Sequence, residues 1–127
     1  MVLDTSAVLA VLQNEPERDA FIDRIARTGQ CRISAASYVE AGIVLEARYG
    51  SGGRHQMIVF LAQGDVRVEP VTEEQARIAL DAYRRFGKGR HAAGLNYGDC
   101  FAYALAVSQG EELLYKGTDF AATDLAD

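Results

Sequence analysis

The chain alternates short apolar runs with longer stretches of helical spacing, and this alternation restricts its fold more than any other feature. Stretches with apolar residues at i, i+3 and i+4 separate the runs, as expected for helices. Strands that alternate with helices are typical of an α/β protein with a parallel sheet, which is the class that we predict. The strand candidates are Val2-Leu3, Cys31-Arg32-Ile33, Val66-Arg67-Val68-Glu69-Pro70 and Leu113-Leu114-Tyr115.

The helical stretches begin at recognisable residues. Ser34, Thr72 and Asn96 each precede one of them and are good N-cap residues, because their side-chain oxygens accept hydrogen bonds from free N–H groups in the first turn. Helical spacing covers 7–12, 15–27, 35–49, 73–86 and 97–108, together with a segment through Met57 that follows a glycine-rich loop at 50–53.

One acidic residue is placed unusually in the helix at 35–49. Successive residues of a helix advance by about 100°, and on this basis one arc of the helix is apolar and predicted to face inward. Glu40 lies in the middle of that arc, where an unpaired charge would be costly to bury, so Glu40 must meet a partner or line a cleft. The opposite face, with Tyr38 and Leu45, either contacts a partner or packs in the core. The predicted inward residues are Ala36, Val39, Ile43, Val44 and Ala47.

The length of 127 residues and the hydrophobic content of 49% suit a single domain spanning 1–127. No apolar run approaches the ~20 residues of a membrane span, and no basic segment precedes the first apolar stretch, so we expect a cytoplasmic protein without a membrane partner. Cys31 and Cys100 lack the spacing of a disulfide framework or zinc site and are predicted to be buried thiols. His55 and His91 are predicted to lie in loops.

The formal net charge of −5 argues mildly against a nucleic-acid partner, since phosphate contacts require Lys and Arg. The charge is unevenly distributed, however. Arg84, Arg85, Lys88 and Arg90 form a basic segment that contains no acid, at the start of a long glycine-containing connection. A solvated surface is the simplest interpretation of such a run unless an anionic substrate is indicated elsewhere.

Four acids occupy positions that a parallel α/β arrangement would bring together. Asp4 and Asp119 follow strand ends, Asp99 lies in the first turn of a helix, and Glu40 lies on an inward face. In such folds these positions converge on the carboxyl edge of the sheet. Asp4 alone would be read as a helix cap, and Asp99 as the second member of a capping box. As a group, the acids predict a functional site.

Clustered carboxylates repel one another, by roughly 4 kcal/mol per pair at 4 Å and an effective dielectric constant near 20. The cluster therefore needs protons or a divalent cation. An all-oxygen site without histidine or thiolate suits Mg²⁺ or Mn²⁺, and Mg²⁺ in proteins typically also binds a substrate phosphate. The acids thus predict metal-assisted phosphodiester chemistry.

Four motifs carry a resemblance to a known family. In order they are Val2-Leu3-Asp4-Thr5-Ser6-Ala7, the segment 35–40 ending at Glu40, Leu95-Asn96-Tyr97-Gly98-Asp99-Cys100, and Lys116-Gly117-Thr118-Asp119-Phe120. Over nearly its whole length the chain resembles a PIN-domain ribonuclease of the VapC toxin type. The resemblance implies a three-layer α/β/α PIN-like fold with a short, mainly parallel central sheet. It also implies a metal-dependent endoribonuclease that cleaves structured RNA, pairs with a VapB-type antitoxin and forms homodimers.

The resemblance assigns roles to the four acids. Asp4 and Asp99 would be the principal Mg²⁺ ligands, Glu40 a ligand or the base for the attacking water, and Asp119 the fourth acid. The family often has Asn where this chain has Thr118, and Asp124 competes with Asp119 for the fourth position.

Further roles are predicted for neighbouring polar and basic residues, because an acidic site that cleaves RNA needs cations nearby to hold the phosphates. Thr5 or Ser6 would orient a water at the metal and take over the capping of the first helix. The basic segment, Arg84, Arg85, Lys88 and Arg90, would form part of an RNA-binding rim.

Two other functions remain compatible with the sequence. A phosphorylation-controlled receiver domain has a similar length and similar acids, although the first strand here lacks the paired acids of such a site. A catalytically silent PIN-like module would keep the acids and act only by binding a partner.

Overall fold

The computed structural model of the chain describes residues 1–125, and residues 126–127 lie outside the described part. Four strands form the sheet: β1 (Val2–Leu3), β2 (Cys31–Ser34), β3 (Val66–Glu69) and β4 (Leu113–Leu114). The helices are α1 (Thr5–Leu12), α2 (Arg18–Thr28), α3 (Ala35–Tyr49), α4 (Ser51–Gln63), α5 (Glu73–Phe86) and α6 (Tyr97–Gln109), followed by a short 3-10 helix at Phe120–Ala122.

The four strands are parallel and lie in the order β3-β2-β1-β4. Val2 is in register with Arg32 of β2 and with Leu113 of β4, so β1 lies inside the sheet between two neighbours. The carboxyl ends of parallel strands lie at one edge of a sheet. This arrangement brings Asp4, which follows β1, close to the segment that follows β4.

Helices cover both faces of the sheet. Adjacent residues of a strand point to opposite faces, so each strand contributes to two cores. Val2 and Leu113 pack in a core formed mainly with α5 and α6. Leu3 and Leu114 pack in a second core, formed with α1, α2, α3 and α4. The predicted three-layer α/β/α fold with a parallel central sheet is confirmed.

The predicted inward face of α3 is wrong. Val39 and Ile43 are 55% and 63% exposed, whereas the buried residues of this helix are Ser37, Ala41, Gly42 and Leu45. A methyl group on Gly42 would already lie 3.3 Å from Met57 of α4, so small residues allow close packing that hydrophobicity alone does not predict. Of the two alternatives for the face with Tyr38 and Leu45, core packing is the one found, since Leu45 is buried and Tyr38 packs against the same core.

Other differences from the predictions are local. Helix α4 begins at Ser51, so the predicted loop at 50–53 is mostly helical, and α2 begins at Arg18 rather than at residue 15. The segment 121–127 is too short for a further helix, and the sequence predicts that it ends as a turn or an edge segment. The 3-10 helix lies at its start, and residues 126–127 lie outside the described part. Among residues 1–125, no helix has the length and apolar character needed to cross a bilayer.

Candidate active site

Asp4 links β1 to α1 at the carboxyl edge of the sheet. Its backbone is extended, and one carboxylate oxygen, Oδ2, accepts hydrogen bonds from the Ser6 N–H at 3.0 Å and the Ser6 hydroxyl at 2.6 Å. Asp4 is therefore the N-cap of α1, and the prediction that Thr5 or Ser6 takes over the capping is wrong. A capping side chain typically belongs to a residue with extended backbone just before the helix, and Thr5 and Ser6 lie inside α1.

The second oxygen of Asp4 has a different environment. The residue is 2% exposed, and Oδ1 is buried without a hydrogen-bond partner in the part of the chain that the structure describes. Burial is the main reason that the pKa of Asp4 is raised from 3.8 to about 6, and the charge of Glu40 raises it further. An unpartnered carboxylate oxygen at this depth favours a proton or a cation.

Asp99 lies in the first turn of α6 and is half-buried. Its Oδ2 accepts a hydrogen bond from the Asn96 N–H at 3.0 Å, and the Asn96 side chain accepts one from the Asp99 N–H at 2.9 Å. This is the capping box that the sequence allowed as an alternative. Burial raises the pKa of Asp99 to about 7, with further increases from the carboxylates of Asp4, Asp119 and Glu40.

The carboxylates of Asp4, Asp119 and Glu40 all raise the pKa of Asp99, so the four predicted acids interact electrostatically. The leading charged neighbours of both Asp4 and Asp99 are other carboxylates rather than Lys or Arg. Negative charge is therefore concentrated at this edge of the sheet without a compensating cation among these neighbours.

Glu40 is half-buried on α3 and is held by a residue of α1. The Thr5 hydroxyl donates to Glu40 Oε1 at 2.6 Å and lies 3.4 Å from the Ser37 carbonyl oxygen. Thr5 thus fixes the orientation of one carboxylate oxygen and leaves the other free of this bond. Thr5 therefore orients the Glu40 carboxylate, whereas its predicted role in orienting a water at the metal stays a prediction.

Ser6 connects Asp4 to the segment after β4. Its hydroxyl donates to Asp4 and accepts a hydrogen bond from the Lys116 N–H at 2.9 Å. The Lys116 side chain is directed elsewhere and pairs with Glu15 and Glu17 near the start of α2. These contacts anchor the loop that carries Asp119. The sequence gives no sign of the Lys116 contact, since it depends on a backbone group.

Asp119 and Asp124 have different surroundings. Asp119 is exposed and contributes to the raised pKa of Asp99, and Thr118 beside it is exposed as well. Asp124 instead accepts a hydrogen bond from the Tyr103 hydroxyl at 2.7 Å and pairs with Arg85 at 3.3 Å. Of the two acids, Asp119 is thus the one that acts electrostatically on the site.

The basic segment begins at the end of α5. Arg84 lies 3.9 Å from Asp81, and Arg85 pairs with Asp124 and stacks over the Phe86 ring at 4.6 Å. Lys88 and Arg90 are exposed and have no ion pair within residues 1–125. Two of the four cations in this segment therefore lie beside acids, and the other two are free to bind an anion.

Lys88 also lines a groove between α5 and α6, of about 470 Å³, together with Asn96 and Tyr97 at the beginning of α6. This groove adjoins the turn that carries Asp99. The rest of its lining is mainly apolar, and none of the four acids lines it. The predictions for His91, which lies in the loop, and for Cys31 and Cys100, which are free and buried, agree with the structure. The loop position predicted for His55 is wrong, because this residue lies within α4.

The fit to a divalent metal rests on Asp4 and Asp99. Within residues 1–125, no three His, Cys, Asp or Glu side chains are gathered closely enough to form a complete metal cage. Mg²⁺ does not need such a cage, since it usually binds one or two carboxylates and keeps several waters. The unpartnered Asp4 oxygen and the raised pKa values of both acids fit that donor set.

The parallel sheet and its acid-lined carboxyl edge together define the architecture of a PIN domain, and comparison with known proteins agrees. The PIN domain family model matches residues 1–125. The chain is 47% identical over 126 residues to Ribonuclease VapC of Mycolicibacterium smegmatis, covering 99% of this chain and 98% of that protein. It is 46% identical over 126 residues to Ribonuclease VapC30 of Mycobacterium tuberculosis, covering 99% and 96%.

Two solved structures have the same fold. The crystal structure of Mycobacterium tuberculosis VapC20, described as a Sarcin-Ricin loop cleaving toxin, has a TM-score of 0.76 at 19% identity and covers 97% of this chain and 94% of that one. A toxin–antitoxin complex from Klebsiella pneumoniae has a TM-score of 0.75 at 15% identity, with 98% and 92% coverage. The chain belongs to the PIN-domain family and, within it, to the VapC ribonucleases. The receiver-domain alternative is thereby excluded.

Proposed function

We propose that this VapC ribonuclease hydrolyses phosphodiester bonds in structured RNA with Mg²⁺ or Mn²⁺, in the cytoplasm, as the toxin of a toxin–antitoxin pair. The observation that carries the proposal is the pairing of Asp4 and Asp99, two carboxylates with raised pKa values and charged neighbours that are themselves acids. A bound divalent cation would neutralise this charge and polarise a phosphoryl oxygen of the substrate.

We assign the remaining catalytic roles to individual residues. Asp4 and Asp99 would hold the cation through the oxygens that their helix caps leave free. Glu40, fixed by the Thr5 hydroxyl, would accept the proton of the attacking water, either directly or while sharing the cation. Asp119 would contribute as the fourth acid from the exposed loop after β4, and Ser6 would hold the Asp4 carboxylate in place.

Substrate binding requires cations beside these acids. We propose that the basic segment binds RNA phosphates. Lys88 and Arg90 would make the main contacts, because Arg84 and Arg85 already lie beside acids. The exposure of Lys88 and Arg90, and their lack of an ion pair within residues 1–125, support this assignment. A structured RNA is proposed because VapC20, which shares the fold, is described as cleaving the Sarcin-Ricin loop.

We further propose a VapB-type antitoxin and a second copy of the chain as protein partners. Membership of the VapC family and the similarity to a chain from a toxin–antitoxin complex support the antitoxin. The exposed apolar residues Val39 and Ile43 of α3 are compatible with a protein contact. Co-purification with the product of the neighbouring reading frame, and light scattering of the isolated chain, test these two partners separately.

Cleavage of a panel of structured RNAs tests the enzymatic proposal. The wild type should cleave in Mg²⁺ or Mn²⁺ and stop in EDTA, whereas Asp4→Asn and Asp99→Asn should be inactive under both conditions. Asp19→Asn, a matched change at a largely exposed carboxylate of α2, should cleave like the wild type. Equal cleavage by all four proteins would point to a contaminating nuclease. No cleavage by the wild type across the panel would favour the catalytically silent module.

A further inference from the structure

Gly98 lies in the first turn of α6, immediately before Asp99, and its backbone does not require glycine. Its φ is not among the positive values found at other glycines of the chain. Glycine is also unfavourable in a helix relative to alanine, because it loses more backbone freedom on folding. A reason other than backbone conformation must therefore account for a glycine at this position.

The reason is space for Glu40. A Cβ atom at position 98 would lie 2.7 Å from Glu40 Cδ and closer still to both carboxylate oxygens. All three of the nearest atoms belong to Glu40, so the first turn of α6 lies directly against that carboxylate. Any side chain at position 98 would occupy the space that the Glu40 carboxylate now fills.

The atoms that an added Cβ would meet show which group would have to move. At Gly53, an added Cβ would meet a backbone oxygen, that of Leu45, at 2.6 Å, so the helix itself would have to move. At Gly98 the obstacle is the end of a flexible side chain, which can rotate at little cost. Rotation would, however, take the Glu40 carboxylate away from the Thr5 hydroxyl that holds it.

We propose that Gly98 is a positioning residue for Glu40: its missing side chain allows the Glu40 carboxylate to lie against α6, beside Asp99 and within reach of Thr5. The consequence for activity rests on the proposed role of Glu40 in RNA cleavage. The structural part of the inference, that a methyl group at position 98 displaces Glu40 and leaves the fold intact, does not depend on that role.

The test compares Gly98→Ala with Gly52→Ala. Gly52 is an exposed helical residue of α4 at which an added Cβ meets no atom within 4 Å, so it controls for the general effect of replacing glycine in a helix. Gly98→Ala should unfold at a midpoint equal to or above that of the wild type. Its RNA cleavage should fall about 100-fold, as expected for a catalytic group misplaced by about 1 Å. Gly52→Ala should cleave like the wild type.

A second readout follows Glu40 itself. In protein labelled with ¹³C at glutamate side-chain carboxyls, the Glu40 resonance is assigned by its loss in Glu40→Gln. It should shift in Gly98→Ala and stay in place in Gly52→Ala. The inference is overturned if this resonance does not move, if Gly98→Ala cleaves like the wild type, or if Gly98→Ala is clearly destabilised. A wild type that cleaves no RNA would refute the proposed function, while the resonance would still decide whether Gly98 positions Glu40.

Discussion

Replacing Asp4 by asparagine should stabilise the metal-free protein at neutral pH while abolishing its proposed activity. Asparagine is also a good N-cap, and its single carbonyl oxygen can accept the bonds that Ser6 now donates to Asp4 Oδ2. Its amide group would replace the oxygen that has no hydrogen-bond partner in the described chain. The substitution therefore keeps the cap and removes a buried charge.

The size of the effect follows from the pKa of Asp4, which is raised from 3.8 to about 6 mainly by burial. Between these values the folded state binds more protons than the unfolded state, so the contribution of Asp4 to stability falls as pH rises. The loss is absent below about pH 3.8 and complete above about pH 6. At ~1.4 kcal/mol per pKa unit, it amounts to about 3 kcal/mol, which Asp4→Asn should recover.

Urea unfolding in EDTA at pH 4.5, 5.5, 7 and 8 measures this difference. The gap between Asp4→Asn and the wild type should be about 1 kcal/mol at pH 4.5 and approach its maximum by pH 7, while Asp19→Asn should show no such increase. Mg²⁺ at about 100 times its dissociation constant should stabilise only the wild type, by about 3 kcal/mol. An Asp4→Asn variant less stable than the wild type at pH 8 in EDTA, or a gap independent of pH, would contradict the prediction.

Two further predictions concern the basic segment and the fourth acid. The double variant Lys88→Gln, Arg90→Gln should bind RNA more weakly. The slope of log K against log salt should fall by about 1.5, because two phosphate contacts are lost. Arg85→Gln should change this slope little, since Arg85 already pairs with Asp124. Fluorescence anisotropy at several salt concentrations measures both. Asp119→Ala should reduce RNA cleavage without destabilising the protein. Asp124→Ala should instead lower the free energy of unfolding by about 1 kcal/mol, through the lost hydrogen bond from Tyr103, and leave cleavage close to wild type.

The sequence predicts the elements of this fold well where a physical rule is local. The bounds of α3 match its prediction because Ser34 caps it and Gly50 follows it, and the first residues of α5 and α6 follow from Thr72 and Asn96. The inward face of α3 could not be predicted in the same way. Which face is buried depends on how closely α4 approaches, and that approach is set by small residues rather than by the most apolar ones.

The candidate site shows the same division. Its acids could be recognised because the ends of parallel strands and the first turn of a helix can be located from the order of apolar runs and N-cap residues in the sequence. The contacts that orient those acids could not be recognised, since they join residues distant in sequence. Thr5 meets Glu40 of α3, and Ser6 meets a backbone N–H of Lys116. The space required by Glu40 is visible only when α3 and α6 are packed together.

Helix capping and metal binding are compatible in this site because a carboxylate has two oxygens. At both Asp4 and Asp99, Oδ2 accepts the hydrogen bonds of a helix cap, which fixes the side chain, and the other oxygen is left for a ligand. The cap thus orients the oxygen that would bind the cation. Asparagine keeps the capping oxygen and loses the charge, whereas alanine loses both. Loss of cleavage in Asp4→Asn and Asp99→Asn can therefore be assigned to the missing ligand, while alanine variants would combine it with damage to α1 and α6.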